Sequence, residues 1–130
     1  MNRVIVTGGA GFIGSNLVKR LLDDGIDEIL VIDDFSTGKK ENLHNSSKIH
    51  LIESKLEDID DLNIKFEGYD FCYHLAAGVG VQYIMDNLSD SLLTNIQGTH
   101  IVYEACKENR IPLLITSTSE VYGTSEEKSW

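Results

Sequence analysis

The chain has 130 residues, 42% of them hydrophobic and 25% charged, with a formal net charge of −10. That length suffices for one domain, residues 1–130, with a real core, and the composition is ordinary for a soluble globular protein. The acidic balance argues against non-specific nucleic-acid binding, and the scattered acids and bases read as a solvated surface rather than a tail. Glycines break the N-terminal apolar run at once, so neither a signal peptide nor a membrane span is expected. Cys72 and Cys106 lie far apart in apolar runs. They read as buried, reduced thiols of an intracellular, cytoplasmic protein. No CxxC motif or ligand-spaced histidine pair occurs, so no metal is expected. His44, His50, His74 and His100 are scattered and carry no assigned chemistry, and no Gly-x-Ser-x-Gly elbow is present.

Val4-Ile5-Val6 is a β-branched run suited to a strand buried on both faces. Gly8, Gly9, Gly11 and Gly14 follow. Phe12, Ile13, Leu17, Leu21 and Leu22 then recur at helical spacing up to Gly25, a C-terminal stop. Strand, glycine turn and helix together are the context that a dinucleotide fingerprint requires. Gly8 and Gly9 suit the positive φ of a tight turn. Gly11 lets a pyrophosphate approach the backbone, and Gly14 lets the helix pack closely on the strand. The free N–H groups of that helix then face the phosphates. A plain strand-to-helix turn is the alternative.

A second strand, Glu28 to Ile32, ends at Asp33, 19 positions after Gly14 (33 − 14) and near the offset of a ribose-binding carboxylate. A carboxylate there accepts from both ribose hydroxyls and repels a 2′-phosphate, which favours NAD over NADP. Lys39 and Lys40 are a counter-signal, and a solvated acid opening the Asp33-Asp34 turn is the alternative. A turn-rich loop with one short helical turn is expected from Phe35 to Asn42. A third strand covers Ile49 to Ile52, and a short acidic helix runs from Leu56 to Ile64. Tyr69 to Leu75 reads as a fourth strand, and Ala76-Ala77-Gly78-Val79-Gly80 as a small-residue loop on which a ligand could lie.

A long helix is expected from about Met85 to Asn109, with Leu88, Leu92, Ile96, Thr99, Tyr103 and Cys106 on one stripe and Ile84, Leu93, His100 and Val102 widening it. So broad an apolar girth calls for two neighbours: the sheet, and either more chain or a second subunit. Ile111 to Ile115 reads as a fifth buried strand, with Pro112 tolerated at its start. Strands alternating with helices predict an α/β fold: a Rossmann-type, doubly wound parallel sheet of order 3-2-1-4-5, its switch point between strands 1 and 4.

Five motifs in register resemble one family. They are Thr7-Gly8-Gly9-Ala10-Gly11-Phe12-Ile13-Gly14, Asp33, His74-Leu75-Ala76-Ala77, Asn95-Ile96-Gln97-Gly98-Thr99 and Ser117-Thr118-Ser119-Glu120-Val121-Tyr122-Gly123. Together they resemble the extended short-chain dehydrogenases/reductases, more narrowly the NAD-dependent nucleotide-sugar epimerases, dehydratases and decarboxylases. The resemblance implies that Gly8, Gly11, Phe12, Ile13 and Gly14 hold the pyrophosphate and Asp33 the ribose, helped by Ser36 and Gly38. Leu75, Ala76 and Ala77 would line the cofactor, Thr116 would lie near the nicotinamide, and the backbone of Leu56 would serve the adenine. Thr118 falls where the family has a catalytic Ser or Thr, and Ser119 and Glu120 where decarboxylases and dehydratases carry acid–base groups. A helix-capping strand end is the alternative for these three.

Three departures stand out. The family's proton-transferring Tyr and Lys, four positions apart, lie downstream of Val-Tyr-Gly, whereas Tyr122 is followed by Glu126. The expectation is therefore an N-terminal part of a longer enzyme, truncated before the sixth strand and the substrate domain, and inactive alone. Lys55 stands where the family often has an adenine-contacting Asp. Val79-Gly80-Val81 lacks a basic residue found in some epimerases. The resemblance also implies a nucleotide-sugar substrate for the full-length enzyme and a homodimer through the helix at 86–109. A non-catalytic dinucleotide-binding module is the other reading.

Overall fold

Residues 3–7 show how the two faces of the sheet are built. Along β1 (Arg3–Thr7), Val4 and Val6 enter one core while Ile5 enters the other, and all three are fully buried. Along β2 (Glu28–Asp33), Ile29 and Val31 join the first core while Leu30 and Ile32 join the second. This alternation is the period-2 geometry of a strand with helices on both sides. Each such buried aliphatic side chain contributes about 1.5–3 kcal/mol.

The computed structural model describes residues 2–78, 89, 92 and 94–123, with the backbone alone at 94, 119 and 120. β3 (Ile49–Glu53), β4 (Phe71–His74) and β5 (Leu113–Ile115) complete a five-stranded parallel sheet of order β3-β2-β1-β4-β5. The expected strand order and switch point are therefore present. Helix α1 (Phe12–Asp23) covers one face through Val18 and Leu21, and Gly25 follows it at φ +86°, as the predicted stop requires. The other face is covered by Leu62 of α2 (Leu62–Lys65), by Phe66, and by Val102, Ala105 and Cys106 of α3 (Thr99–Asn109).

Four expectations need correction. Leu56 to Ile64 is not one helix: a 3₁₀ turn at Leu56–Asp58 and α2 are separated by Asp61 at φ 54°. Extended Ile59 ends the 3₁₀ turn, and Asp61, a residue type that tolerates the left-handed region, is the N-cap of α2, its carbonyl accepting from the Ile64 and Lys65 N–H groups. Gly9 has no positive φ; among the four turn glycines only Gly8 does, at +69°. Gly9 is required because a Cβ would lie 2.7 Å from Cγ1 of Val31. β5 is not a buried strand: Leu114 and Ile115 are 43% and 46% exposed, because among the described residues β5 is an edge with β4 as its one partner. The long helix is not α-helical throughout, and its apolar girth divides between two sides. Leu92, Ile96 and Tyr103 are exposed, and the buried face is Val102, Ala105 and Cys106. Within that expected helix, residues 94–98 form a π-helical turn before α3. Residues 79–88 lie outside the described residues, and with them the Val79-Gly80-Val81 loop and Leu88.

The two cysteines, distant in sequence, meet across the β4–α3 contact. Both are buried, and their sulfurs share a hydrogen bond. That bond, with burial, pushes the Cys72 thiol well above its ordinary pKa.

Candidate functional site

The glycine turn is shaped by contacts that only hydrogen atoms permit. At Gly8, a Cβ would lie 2.7 Å from the Ala76 nitrogen; at Gly14, 2.1 Å from the Gly8 carbonyl oxygen. Gly8 lets the segment after β4 cross the turn, and Gly14 lets α1 start directly against it. Gly11 differs: a Cβ there would touch nothing closer than 3.4 Å, so its open side faces space rather than protein. Gly11 is the N-cap of α1, and no side chain caps the helix. The N–H groups of Phe12, Ile13 and Gly14 therefore have no partner within α1 and remain available to an anion.

Asp33 stands beside this turn, 8% exposed. Its Oδ2 accepts from the Ala10 N–H at 2.8 Å and its Oδ1 from the Phe35 N–H at 2.9 Å. One carboxylate thus ties the glycine turn to the tip of β2. Each oxygen keeps lone-pair capacity for a hydroxyl donor. Gly38 packs on Ala10, Lys39 N–H donates to the Ala10 carbonyl at 3.2 Å, and Asn42 Nδ2 donates to it at 2.8 Å. Lys40 is committed elsewhere, with Nζ 2.8 Å from Glu53 Oε2. The counter-signal that it posed for NAD is thereby weakened.

A cavity of about 460 Å³ opens over these groups. Its walls bring together Gly8, Gly11, Phe12, Ile13, Gly14, Asp33, Ser36, Leu56, Leu75, Ala76, Ala77 and Thr116, which are all but one of the expected cofactor contacts. The exception, Gly38, supports the wall through Ala10 instead. Phe12 and Ile13 are 84% and 67% exposed although they belong to the apolar pattern of α1, because they face this opening rather than the sheet. Ser117 also lines the cavity, whereas Thr118, exposed three residues beyond β5, does not. Ser119 and Glu120 fall in a 3₁₀ turn, Ser119–Tyr122.

The sequence reading missed how the segment after β4 is held. Thr7 Oγ1 lies 2.7 Å from His74 Nδ1 and accepts from the Ala76 N–H at 3.2 Å. His74 Nε2 lies 2.9 Å from Thr99 Oγ1 on α3. A neutral ring satisfies both hydroxyls, one nitrogen donating and the other accepting. Burial lowers the pKa of His74 to about 4, which keeps it so. Further along, Asn95 Oδ1 accepts from the Gly78 N–H at 2.8 Å, and Asn95 Nδ2 donates to the Gly78 carbonyl at 3.4 Å. Residues 75–78 are thus pinned over Gly8 from both ends. The signal was a polar residue ending an apolar strand, but its partners are 67 and 25 positions away.

The sequence profile of the NAD dependent epimerase/dehydratase family matches residues 4–129. The chain belongs to that family. A UDP-glucuronic acid decarboxylase 1 of Arabidopsis thaliana is 40% identical over 124 residues, spanning 93% of this chain and 27% of that protein. Among solved structures, a UDP-N-acetylglucosamine 4-epimerase from Methanobrevibacter ruminantium M1, in complex with UDP-N-acetylmuramic acid, superposes with a TM-score of 0.89. It is 34% identical, covering 99% of this chain and 42% of that one. A dTDP-glucose 4,6-dehydratase from Streptomyces venezuelae, with NAD and TYD bound, gives 0.88 at 32% identity, over 98% of this chain and 43% of that one. The chain thus spans about a quarter to two-fifths of the length of these relatives, and corresponds to their N-terminal, NAD-binding part.

The residues present fit the family's cofactor: uncapped amides, a glycine cradle with room at Gly11, and a carboxylate one strand over. The family's Tyr-x-x-x-Lys spacing does occur once, at Tyr103 and Lys107. It is not the proton-transfer pair. Tyr103 is 48% exposed, Lys107 is salt-bridged to Glu104 at 3.0 Å, and neither lines the cavity. Among the described residues no group of His, Cys, Asp or Glu is arranged to hold a metal ion, and no helix is long and apolar enough to cross a membrane.

Proposed function

We propose that this chain is the cofactor-binding part of a cytoplasmic enzyme that transiently oxidises the sugar of a nucleotide sugar at C4 and then decarboxylates, dehydrates or epimerises it. One observation carries this reading: the uncapped start of α1, the Asp33 carboxylate and the pinned 75–78 segment share a single cavity. When bound, NAD accepts and returns the hydride. Gly8, Gly11, Phe12, Ile13 and Gly14 hold its diphosphate, Asp33 and Ser36 its adenosine ribose, and Leu75, Ala76, Ala77 and Thr116 its nicotinamide half. Gly38 acts through Ala10, and the Leu56 backbone meets the base.

Thr118 follows two cavity-lining residues, Thr116 and Ser117, which supports a place for it beside the substrate. Its hydroxyl hydrogen-bonds the sugar hydroxyl being oxidised, while Ser119 and Glu120 move protons on the sugar. An acid at 120 fits decarboxylation or dehydration better than simple epimerisation. The exposed row Leu92, Ile96 and Tyr103 fits a homodimer contact along the helix.

Isothermal titration of the 130-residue chain with each dinucleotide tests the cofactor reading. Weak binding of NAD, tighter than that of NADP, is expected, together with no turnover of any sugar nucleotide. Tighter binding of NADP would reverse the cofactor assignment.

A further inference from the structure

Lys55 is the one cation that lines the cavity among the described residues; its three charged companions there are the carboxylates Asp33, Asp34 and Glu57. Its place along the wall identifies what it meets. Ser54 N–H donates to the Asp33 carbonyl at 3.2 Å, so the chain leaving β3 lies directly beyond the ribose carboxylate. With the diphosphate at the glycine turn and the ribose at Asp33, the next group in covalent order, the purine, faces residues 54–57. This step rests on the cofactor reading above.

The backbone at that wall is firmly set. The Lys55 carbonyl accepts from Asp58 N–H at 3.2 Å and from Ser54 Oγ at 3.1 Å, and the Leu56 side chain is buried. Leu56 N–H opens the 3₁₀ turn and has no partner within it. The wall therefore presents two donors, Lys55 Nζ and Leu56 N–H. An ammonium group donates only. Adenine offers ring-nitrogen acceptors but a donor at its 6-position. A 6-oxopurine offers adjacent O6 and N7 acceptors, which a lysine can engage together. The three carboxylates that share the cavity with this lysine disfavour the other role open to a cation here, holding a 2′-phosphate, because they would repel it.

We propose that Lys55 makes the base end of the cavity a donor surface, so that this chain binds the 6-oxopurine analogue of NAD, nicotinamide hypoxanthine dinucleotide, at least as tightly as NAD itself. Calorimetric titration of the 130-residue chain with both dinucleotides gives the ratio of their dissociation constants. In the parent chain the analogue is expected to bind equally well or better. Lys55→Asp replaces the donor by an acceptor and is expected to move the ratio roughly tenfold or more toward NAD, with Lys55→Gln in between. Lys55 is solvent-exposed, so both variants should keep the parent circular dichroism. Glu57→Gln replaces an acceptor-only carboxylate on the same wall by an amide that also donates, and should move the ratio further toward the analogue. A ratio that stays the same in Lys55→Asp overturns the proposal while leaving the cofactor reading intact. Tighter NADP binding that Lys55→Asp abolishes also overturns it. If the parent chain binds neither dinucleotide, both readings fall together.

Discussion

Gly11 and Gly14 belong to one motif yet answer to different constraints, and substitution separates them. A methyl group at Gly14 would sit 2.1 Å from the Gly8 oxygen and 2.7 Å from the Gly9 Cα, both backbone atoms that cannot swing aside. Gly14→Ala should therefore destabilise the fold by about 1–3 kcal/mol or more, measured as a shift in urea midpoint. A methyl at Gly11 meets protein only at 3.4 Å, and Gly11 has φ −70°, which any residue adopts. Gly11→Ala should leave the urea midpoint within about 0.5 kcal/mol of the parent. It should weaken NAD binding on the order of tenfold or more, because the methyl occupies the diphosphate's approach. Equal losses of stability in the two variants would contradict this division of labour.

At the scale of elements, His74 joins β1, β4 and α3. Its folded pKa, about 4, lies below the ordinary 6.5. The unfolded chain therefore binds the proton more readily, and protonation favours unfolding. The stability from the neutral ring is complete above pH 6.5 and is lost as pH falls toward 4, amounting to roughly 3 kcal/mol in all. Urea midpoints should fall steadily between pH 6.5 and 4.5. In His74→Gln the part of that slope due to this residue should vanish, whatever the variant's starting stability. An unchanged slope would show that the ring carries its proton in the folded state.

For the whole molecule, two groups of exposed apolar residues lie away from the cofactor cavity. Leu114 and Ile115 lie on the β5 edge, and Leu92, Ile96 and Tyr103 on the helix. Exposed apolar area of this kind marks a contact surface. Light scattering at increasing concentration should show dimers, and the double variant Ile96→Glu, Tyr103→Glu should remain monomeric at concentrations where the parent associates. A parent chain that stays monomeric throughout would remove the helix as an interface. The order of the strands, the glycine turn and Asp33 were readable from the chain alone because each rests on neighbours in sequence: β-branched runs, glycine spacing, a carboxylate at a strand end. Folding chose everything that depends on distant partners. His74 became a bridge only once Thr7 and Thr99 flanked it, and the Cys72 and Cys106 sulfurs met only when α3 lay on β4. How the apolar girth of the helix divides was decided in the same way. Periodicity says that a face is apolar, but which face is buried depends on what lies opposite it, and here the sheet took Val102, Ala105 and Cys106.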